Sequence, residues 1–205
     1  MATQKRKREK GGKRGNHGGK VAEKGVVVYP EKLPSLIAFD LDDTIWSPEM
    51  WLCSREPFSK DPTTGVVRCS GGEKMKYLGD SKAVLNDIAT NEVWQNTRVV
   101  YVSRTNYPEA AVPLLSLMDV NESHTMADVS VMEWNQIYPA NKQTHFSKLL
   151  KLSGVPLRDM LFFDNQMDNI RSVSALGVTC VYTPEGLTHR HFLDGLARFA
   201  AAGAQ

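Results

Sequence analysis

A short apolar segment that runs directly into three carboxylates constrains this chain more than any other part of its sequence. Residues 35–39 (SLIAF) have the nearly continuous apolar character of a buried strand. Asp40, Asp42 and Asp43 follow at once. Like charges repel, and burial disfavours ionisation, so such a cluster needs a group that compensates its charge. The segment therefore predicts a functional site at the carboxyl end of an internal strand.

Strand-like and helix-like segments alternate along most of the remaining chain. Continuous apolar strands separated by helices are typical of an α/β fold, in which helices cover both faces of a parallel sheet. Residues 46–78 interrupt this alternation and are too long for an ordinary connection, so we expect them to form a functional flap. The run 65–69 (GVVRC) predicts one arm of a hairpin there. The predicted strands are 35–39, 98–103, 128–134, 159–164 and 178–182. Two of the predicted helices are 80–94 and 141–154, the second with Phe146, Leu149 and Leu150 facing inward. The other three are a segment with Asn106 as N-cap and Pro108 near its start, a segment that ends at Gly177, and a C-terminal segment with Phe192, Leu196 and Phe199.

Positive charge is concentrated at the N-terminus. The net charge is only +2, yet residues 1–24 hold nine Lys and Arg and two Glu. A segment with so little to bury is predicted to be disordered. We therefore expect a basic tail over residues 1–28 and one folded domain over residues 29–205. The KRKR run is typical of a nuclear address or a nucleic-acid contact, and a solvated tail without a function is the alternative.

Two further features bear on where the protein works. No apolar run approaches the roughly 20 residues that a membrane span needs, so no membrane partner is expected. The three cysteines lack the spacing of a metal site and are predicted to be reduced thiols. These features predict a cytoplasmic protein, or a nuclear one if the basic run acts as a signal.

Reactive groups follow several of the predicted strands. Asp40 and Asp42 follow the first strand, Ser103 ends the second, and Asp164 ends the fourth, while the third leads towards Lys142. Because ligands bind beyond the carboxyl ends of the strands in an open parallel sheet, these groups are expected on one rim. Clustered carboxylates favour Mg²⁺, and a cation beside a lysine and a hydroxyl is an arrangement that binds phosphate.

The spacing of the first two carboxylates suggests different roles for them. Residues two apart in an extended chain point to the same side, so Asp40 and Asp42 can both reach one site. Asp40 can attack phosphorus and form an aspartyl-phosphate. Asp42 can protonate the leaving oxygen and later take a proton from water, which requires a raised pKa.

Four ordered segments resemble the motifs of the haloacid dehalogenase superfamily: FDLDDT at 39–44, SRT at 103–105, YPANKQTHF at 138–146 and FFDNQMDN at 162–169. Their flanks resemble the magnesium-dependent phosphatase 1 family. The resemblance covers about residues 33–200 and implies a Rossmann-like core, with Asp40 as nucleophile and Asp42 as acid and base. It further implies that Mg²⁺ is held by Asp40, the Asp42 carbonyl and Asp164, and that phosphate is held by the Leu41 backbone, Ser103, Arg104 and Lys142.

The chain departs from the pattern of that family at two positions. Asp43 stands where the family usually has a tyrosine. Asn165 stands where it usually has a second acidic residue. Asp168 is the alternative for the outer shell of the metal, because a D-x-x-x-D spacing also occurs in the superfamily.

The resemblance also bears on the substrate. Many superfamily members carry a cap domain, but the 62 residues between Asp40 and Ser103 and the 36 between Thr105 and Lys142 leave no room for one. A capless, open site suits a phosphorylated protein or a bulky phosphorylated small molecule. The resemblance implies phosphotyrosine or a sugar adduct of the fructosamine 6-phosphate type, and does not choose between them. Trp46 and Trp51 are expected either to stack on an aromatic substrate or to anchor the flap.

Other functions fit the sequence less well. A calcium loop of the EF-hand type that started at Asp40 would need Gly at its sixth position, where this chain has Ile45. A receiver domain needs an accepting Asp after a strand in the middle of the chain, and none is predicted. A catalytically silent module that binds phosphate or protein on the same fold is the main alternative. Lys148 is the competing lysine, expected on an exposed helix face.

Overall fold

The computed structural model describes residues 27–53 and 57–202, so the predicted basic tail lies almost entirely outside the described part of the chain. The strands are β1 (Leu36–Phe39), β2 (Trp46–Ser47), β3 (Ser59–Lys60), β4 (Val67–Arg68), β5 (Lys76–Tyr77), β6 (Arg98–Ser103), β7 (Gln136–Ile137), β8 (Met160–Asp164) and β9 (Thr179–Tyr182). The α-helices are α1 (Ser81–Thr90), α2 (Pro108–Leu115), α3 (Met126–Val129), α4 (Lys142–Ser153), α5 (Met167–Ser174) and α6 (His189–Ala202).

A parallel sheet of five strands in the order β7-β6-β1-β8-β9 forms the centre of the fold. Successive side chains of β1 enter two different cores, because side chains alternate between the faces of a strand. Ile37 and Phe39 lie in a core with side chains of α1, α2 and α6. Leu36 and Ala38 lie in a second core with side chains of α4 and α5. The predicted three-layer, Rossmann-like α/β architecture is confirmed.

The flap, residues 46–78, consists of two small antiparallel sheets. Trp46 pairs with Tyr77 between β2 and β5, and Lys60 pairs with Val67 between β3 and β4. The predicted hairpin arm in 65–69 is therefore confirmed. The flap returns to the main body through Ser81, whose hydroxyl donates to the Ile45 carbonyl at 2.8 Å.

One predicted strand is wrong. Residues 128–134 do not form a strand: α3 ends at Val129, and a short 3₁₀-helix follows at Met132–Trp134. A capping box starts α3: the Thr125 hydroxyl accepts from the Asp128 N–H, and the Asp128 carboxylate accepts from the Thr125 N–H. The strand of this region is the shorter β7, just downstream.

Two predictions at helix positions are also corrected. Pro108 is the first residue of α2 as expected, but the N-cap is Tyr107 rather than Asn106. In α4, Phe146 and Leu149 are buried, whereas Leu150 is exposed and does not face the core. Leu150 shares the apolar character of its neighbour but lies about 100° further round the helix.

None of the helices in the described ranges is long and apolar enough to cross a membrane. The predicted C-terminal helix is confirmed as α6. Phe192, Leu196 and Phe199 of α6 are buried. Gly195 lies against the sheet on the same helix. A β-carbon at Gly195 would lie 2.9 Å from both Phe163 and Val181, so the absence of a side chain sets how closely α6 approaches the sheet.

Gly195→Ala is therefore expected to destabilise the protein, although alanine favours a helix by about 1 kcal/mol. Overpacking of a dense core typically costs about 1–3 kcal/mol, which exceeds that gain. Urea unfolding measures the change in free energy. The exposed control Ala197→Gly measures helix propensity in the same helix. A Gly195→Ala protein as stable as the wild type, or more stable, would contradict close packing at this position.

Candidate active site

A buried lysine joins the ends of two neighbouring strands. Lys142 is the first residue of α4, and its ammonium group lies 2.5 Å from Asp40 Oδ1 and 3.1 Å from Asp164 Oδ2. It also donates to the Val102 carbonyl. The Asn141 side chain caps this helix by accepting from the Thr144 N–H at 2.7 Å, which fixes the start of the helix at Lys142. The structure thus brings together three residues predicted from separate motifs.

The Asp40 carboxylate is held on both oxygens. Oδ1 accepts from Lys142, and Oδ2 accepts from the Thr44 hydroxyl at 3.2 Å. Burial raises the pKa of Asp40, Asp164 raises it further, and the Lys142 ammonium opposes the rise. Two carboxylates share one ammonium here, and one positive charge cannot balance two buried negative charges. This is the condition that a bound cation relieves.

Asp42 is held by the flap rather than by the lysine. Its Oδ1 accepts from the Trp46 indole N–H at 2.7 Å and from the Met50 backbone N–H at 3.2 Å. Burial raises the pKa of Asp42 to about 6, although the Trp46 and Met50 hydrogen bonds work against the rise. A carboxyl group with such a pKa can carry a proton near neutral pH, as the predicted acid requires.

A tight turn separates these two carboxylates from the flap. The buried Leu41 accepts three backbone N–H groups on its carbonyl, at 2.8 to 3.2 Å, from Thr44, Ile45 and Trp46. Asp43 occupies the left-handed region at φ 56°, a conformation that Asp tolerates better than most residues. Burial, and then the carboxyl group of Glu49, raise the pKa of Asp43 to about 6. Asp43 is thus a turn residue beside Glu49.

An open cleft of about 300 Å³ lies above the carboxylates. Ser103 is buried at its edge, and its hydroxyl accepts from the Thr105 N–H at 3.2 Å. Arg104 reaches across the cleft from the end of β6. Asp40, Asp42, Ser103 and Arg104 all line the cleft, whereas Lys142 and Asp164 lie below it. The other lining residues are Glu49, Trp51, Thr105, Asn106, Tyr107, Gln166 and Asn169.

Comparison with known proteins identifies the family. A family model described as Acid Phosphatase matches residues 32–202. The chain belongs to this family. Magnesium-dependent phosphatase 1 of Homo sapiens is 34% identical over 173 residues, which is 83% of this chain and 90% of that protein. The predicted membership of the magnesium-dependent phosphatase 1 family is therefore confirmed.

A further relative agrees with the superfamily, and a solved structure of low sequence identity agrees with the fold. A HAD-like hydrolase superfamily protein of Schizosaccharomyces pombe is 29% identical over 154 residues, 72% of this chain and 84% of that protein. A crystal structure of the N-terminal part of a Bacteroides fragilis protein, containing a phosphatase domain in complex with Mg, superposes with a TM-score of 0.52 at 17% identity. The match covers 83% of this chain but only 40% of that chain, so it bears on the fold alone.

The two candidates for the outer shell of a family metal lie in different surroundings. Asp168 points to solvent, with a side chain that is 94% exposed and 3.6 Å from Arg171. Asn165 directly follows Asp164, and its Oδ1 is buried without a hydrogen-bond partner among the described residues. An orphaned oxygen beside a carboxylate fits a metal or its bound water better than an exposed side chain does. The structure therefore favours Asn165 over Asp168.

The donors around Asp40 and Asp164 suit magnesium. They are all oxygens, and Mg²⁺ usually binds one or two carboxylates and keeps several waters. Residues 27–53 and 57–202 contain no group of three His, Cys, Asp or Glu side chains arranged to hold a metal. A site made from two carboxylates and the Asp42 carbonyl is consistent with both observations.

Asn169 is a site residue that the sequence analysis did not indicate. It is 4% exposed, and its side-chain N–H₂ donates to both oxygens of Asp164, at 3.1 and 3.0 Å. Its Oδ1 accepts from Arg104 at 3.1 Å. The competing lysine, Lys148, lies over the ring of Tyr138 and does not line the cleft.

His145 lies one helical turn beyond Lys142 and is fully buried. Its Nε2 lies 3.1 Å from the Tyr138 carbonyl, which only accepts, so Nε2 carries the proton and Nδ1 has no partner among the described residues. Burial, and then the charge of Lys142, lower the pKa of His145 from 6.5 to about 4. The imidazole is therefore neutral in the folded protein.

His145→Gln is expected to reduce the loss of stability at acidic pH. Between pH 6.5 and 4 the unfolded chain binds a proton on His145 that the folded chain does not, so the free energy of unfolding falls as the pH falls. The variant removes up to about 3 kcal/mol of this dependence. Urea unfolding of both proteins between pH 4 and 7.5 measures it. Parallel curves for the two proteins would contradict a neutral, buried imidazole.

Proposed function

We propose that this protein is a magnesium-dependent phosphatase that hydrolyses phosphomonoesters through an aspartyl-phosphate on Asp40. The observation that carries the proposal is the buried set formed by Asp40, Lys142 and Asp164 beside a protonatable Asp42. Asp40, the Asp42 carbonyl and Asp164 would hold Mg²⁺, with Asn165 in support. A bound Mg²⁺ supplies positive charge that lets a carboxylate approach a phosphate dianion.

The reaction has two steps. A carboxylate oxygen of Asp40 attacks phosphorus, the P–O bond of the ester breaks, and Asp42 gives its proton to the leaving oxygen. Asp42 then takes a proton from water, the water oxygen attacks phosphorus, and the Asp40–phosphorus bond breaks to release inorganic phosphate. Lys142 keeps Asp40 in place and opposes its protonation, while Ser103, Arg104 and the Leu41 backbone hold the phosphate oxygens.

Asp40→Asn is expected to abolish turnover of p-nitrophenyl phosphate, by at least about 10³-fold, because an amide cannot form the acyl phosphate. The wild type is expected to lose activity in EDTA and to recover it with added Mg²⁺. Asp194→Asn, which removes an exposed carboxylate from α6, is the control for loss of charge. Turnover by the Asp40→Asn variant, or wild-type turnover that EDTA does not reduce, would contradict the mechanism.

The mouth of the cleft suggests an aromatic substrate. Trp46 is buried within the flap, whereas Trp51 is 62% exposed at the cleft and its indole N–H donates to Glu49 at 2.8 Å. An exposed tryptophan at an open mouth offers a surface for stacking. We propose phosphotyrosine in a protein as the preferred substrate and a sugar adduct of the fructosamine 6-phosphate type as the second candidate.

Trp51→Leu is expected to lower kcat/KM for a phosphotyrosine peptide about 3- to 10-fold, since an aromatic pair adds about 0.5–1.5 kcal/mol. The same variant is expected to change kcat/KM for a phosphoserine peptide of the same sequence by less than about 2-fold. Equal losses on both peptides would contradict stacking. Faster turnover of fructosamine 6-phosphate than of either peptide would favour the second candidate.

A catalytically silent binding module on this fold remains the alternative. It predicts Mg²⁺ binding without turnover of any phosphomonoester. Beryllofluoride, which mimics a phosphoryl group on a carboxylate, separates the two functions. Capture by the wild type but not by Asp40→Asn supports the enzyme, and no capture together with no turnover supports the silent module.

A further inference from the structure

Asn169 connects two parts of the site that come from different strands. Arg104 follows β6, whereas Asp164 ends β8, and β1 lies between these two strands in the sheet. The Asn169 side chain reaches both, with its oxygen on the Arg104 guanidinium and its nitrogen on the Asp164 carboxylate. Its burial separates these hydrogen bonds from competing water.

The chemistry of the two partners allows one orientation of this amide. A guanidinium group only donates, and an ionised carboxylate only accepts. The Asn169 oxygen must therefore face Arg104, and its N–H₂ group must face Asp164. Among the described residues, Arg104 has no ion pair with a carboxylate. Its side chain is exposed, so Asn169 is the buried contact that holds it.

The geometry points to Asn169 as a positioning residue, which holds Arg104 over the cleft for the phosphoryl group. This inference rests on the proposed function. A flexible arginine loses side-chain entropy when it binds an anion, and a contact that fixes it beforehand reduces that loss. Asp164, in turn, fixes Asn169. Capture of phosphate thus depends on a side chain that acts through Arg104.

A double-mutant cycle tests the inference. Arg104→Ala is expected to weaken the binding of inorganic phosphate about 10- to 100-fold, as for a lost charged hydrogen bond. Asn169→Ala alone is expected to weaken it about 3- to 10-fold. If Asn169 acts through Arg104, then adding Asn169→Ala to Arg104→Ala changes phosphate affinity by less than about 2-fold. Calorimetry with inorganic phosphate in saturating Mg²⁺ measures all four proteins.

Kinetics on p-nitrophenyl phosphate give a second readout. Asn169→Ala is expected to raise KM more than it lowers kcat, which a general loss of folded protein would not produce. Arg171→Ala is the control, because it removes an exposed arginine from the same helix. It is expected to leave both constants within about 2-fold of the wild type.

Three results would overturn the inference while leaving the proposed function intact. One is an Asn169→Ala effect on phosphate that is equally large with and without Arg104. Another is an effect confined to the Mg²⁺ concentration needed for half activity, which would mean that Asn169 serves Asp164 alone. The third is no effect at all. A wild-type protein that binds inorganic phosphate but turns over no phosphomonoester would contradict the proposed function instead. The calorimetric cycle would still test the role of Asn169 in that case.

Discussion

The buried ammonium group of Lys142 is the interaction on which the site depends. It contacts Asp40, Asp164 and the Val102 carbonyl, which belong to or follow three adjacent strands, and it is carried by a helix on one face of the sheet. A buried charge is tolerated only when it is paired and hydrogen-bonded. Lys142 therefore holds the ends of the three strands together and also holds Asp40, the proposed nucleophile.

This arrangement leaves an imbalance of charge that explains the rest of the site. One ammonium serves two carboxylates, and burial and the second carboxylate keep the pKa of Asp40 raised despite the lysine. A divalent cation would remove the imbalance, and the all-oxygen donors suit Mg²⁺. Asp42 lies near these charges, but its hydrogen-bond partners are different: an indole N–H and a backbone N–H of the flap. Two carboxylates separated by one residue thus have different hydrogen-bond partners, although burial raises the pKa of both.

The flap and α5, the helix after β8, supply the other residues of the site. The flap holds Asp42 and presents Trp51 at the mouth of the cleft, while α5 supplies Asn169 between Asp164 and Arg104. Asp40 and Ser103 are buried and hydrogen-bonded, whereas Arg104 and Trp51 are exposed. Such a site would select for the phosphoryl group and accept different groups that carry it, in keeping with the bulky substrate proposed above.

The amino-acid sequence by itself determined the α/β class, four of the five strands of the sheet, and the four motifs that supply Asp40, Asp42, Ser103, Lys142 and Asp164. Apolar periodicity and motif order are local signals, and a strand such as LIAF next to DLDDT contains both. The sequence misplaced the strand near 128–134, because a capping box at Thr125 outweighs the preference of valines for strands. It also placed Leu150 inside, since periodicity alone does not set the rotation of a helix against a sheet.

Only the tertiary structure distinguishes the surroundings of Asn165, Asp168 and Asn169. Neighbours on α5 differ completely in environment: Asp168 is in solvent, and Asn169 is buried against two charged groups from other strands. Likewise, the raised pKa of Asp42 comes from burial beneath a flap that closes through Trp46 and Met50. A sequence specifies which groups are available, but burial and contacts between distant segments decide their charge and direction, and these exist only once the chain has folded.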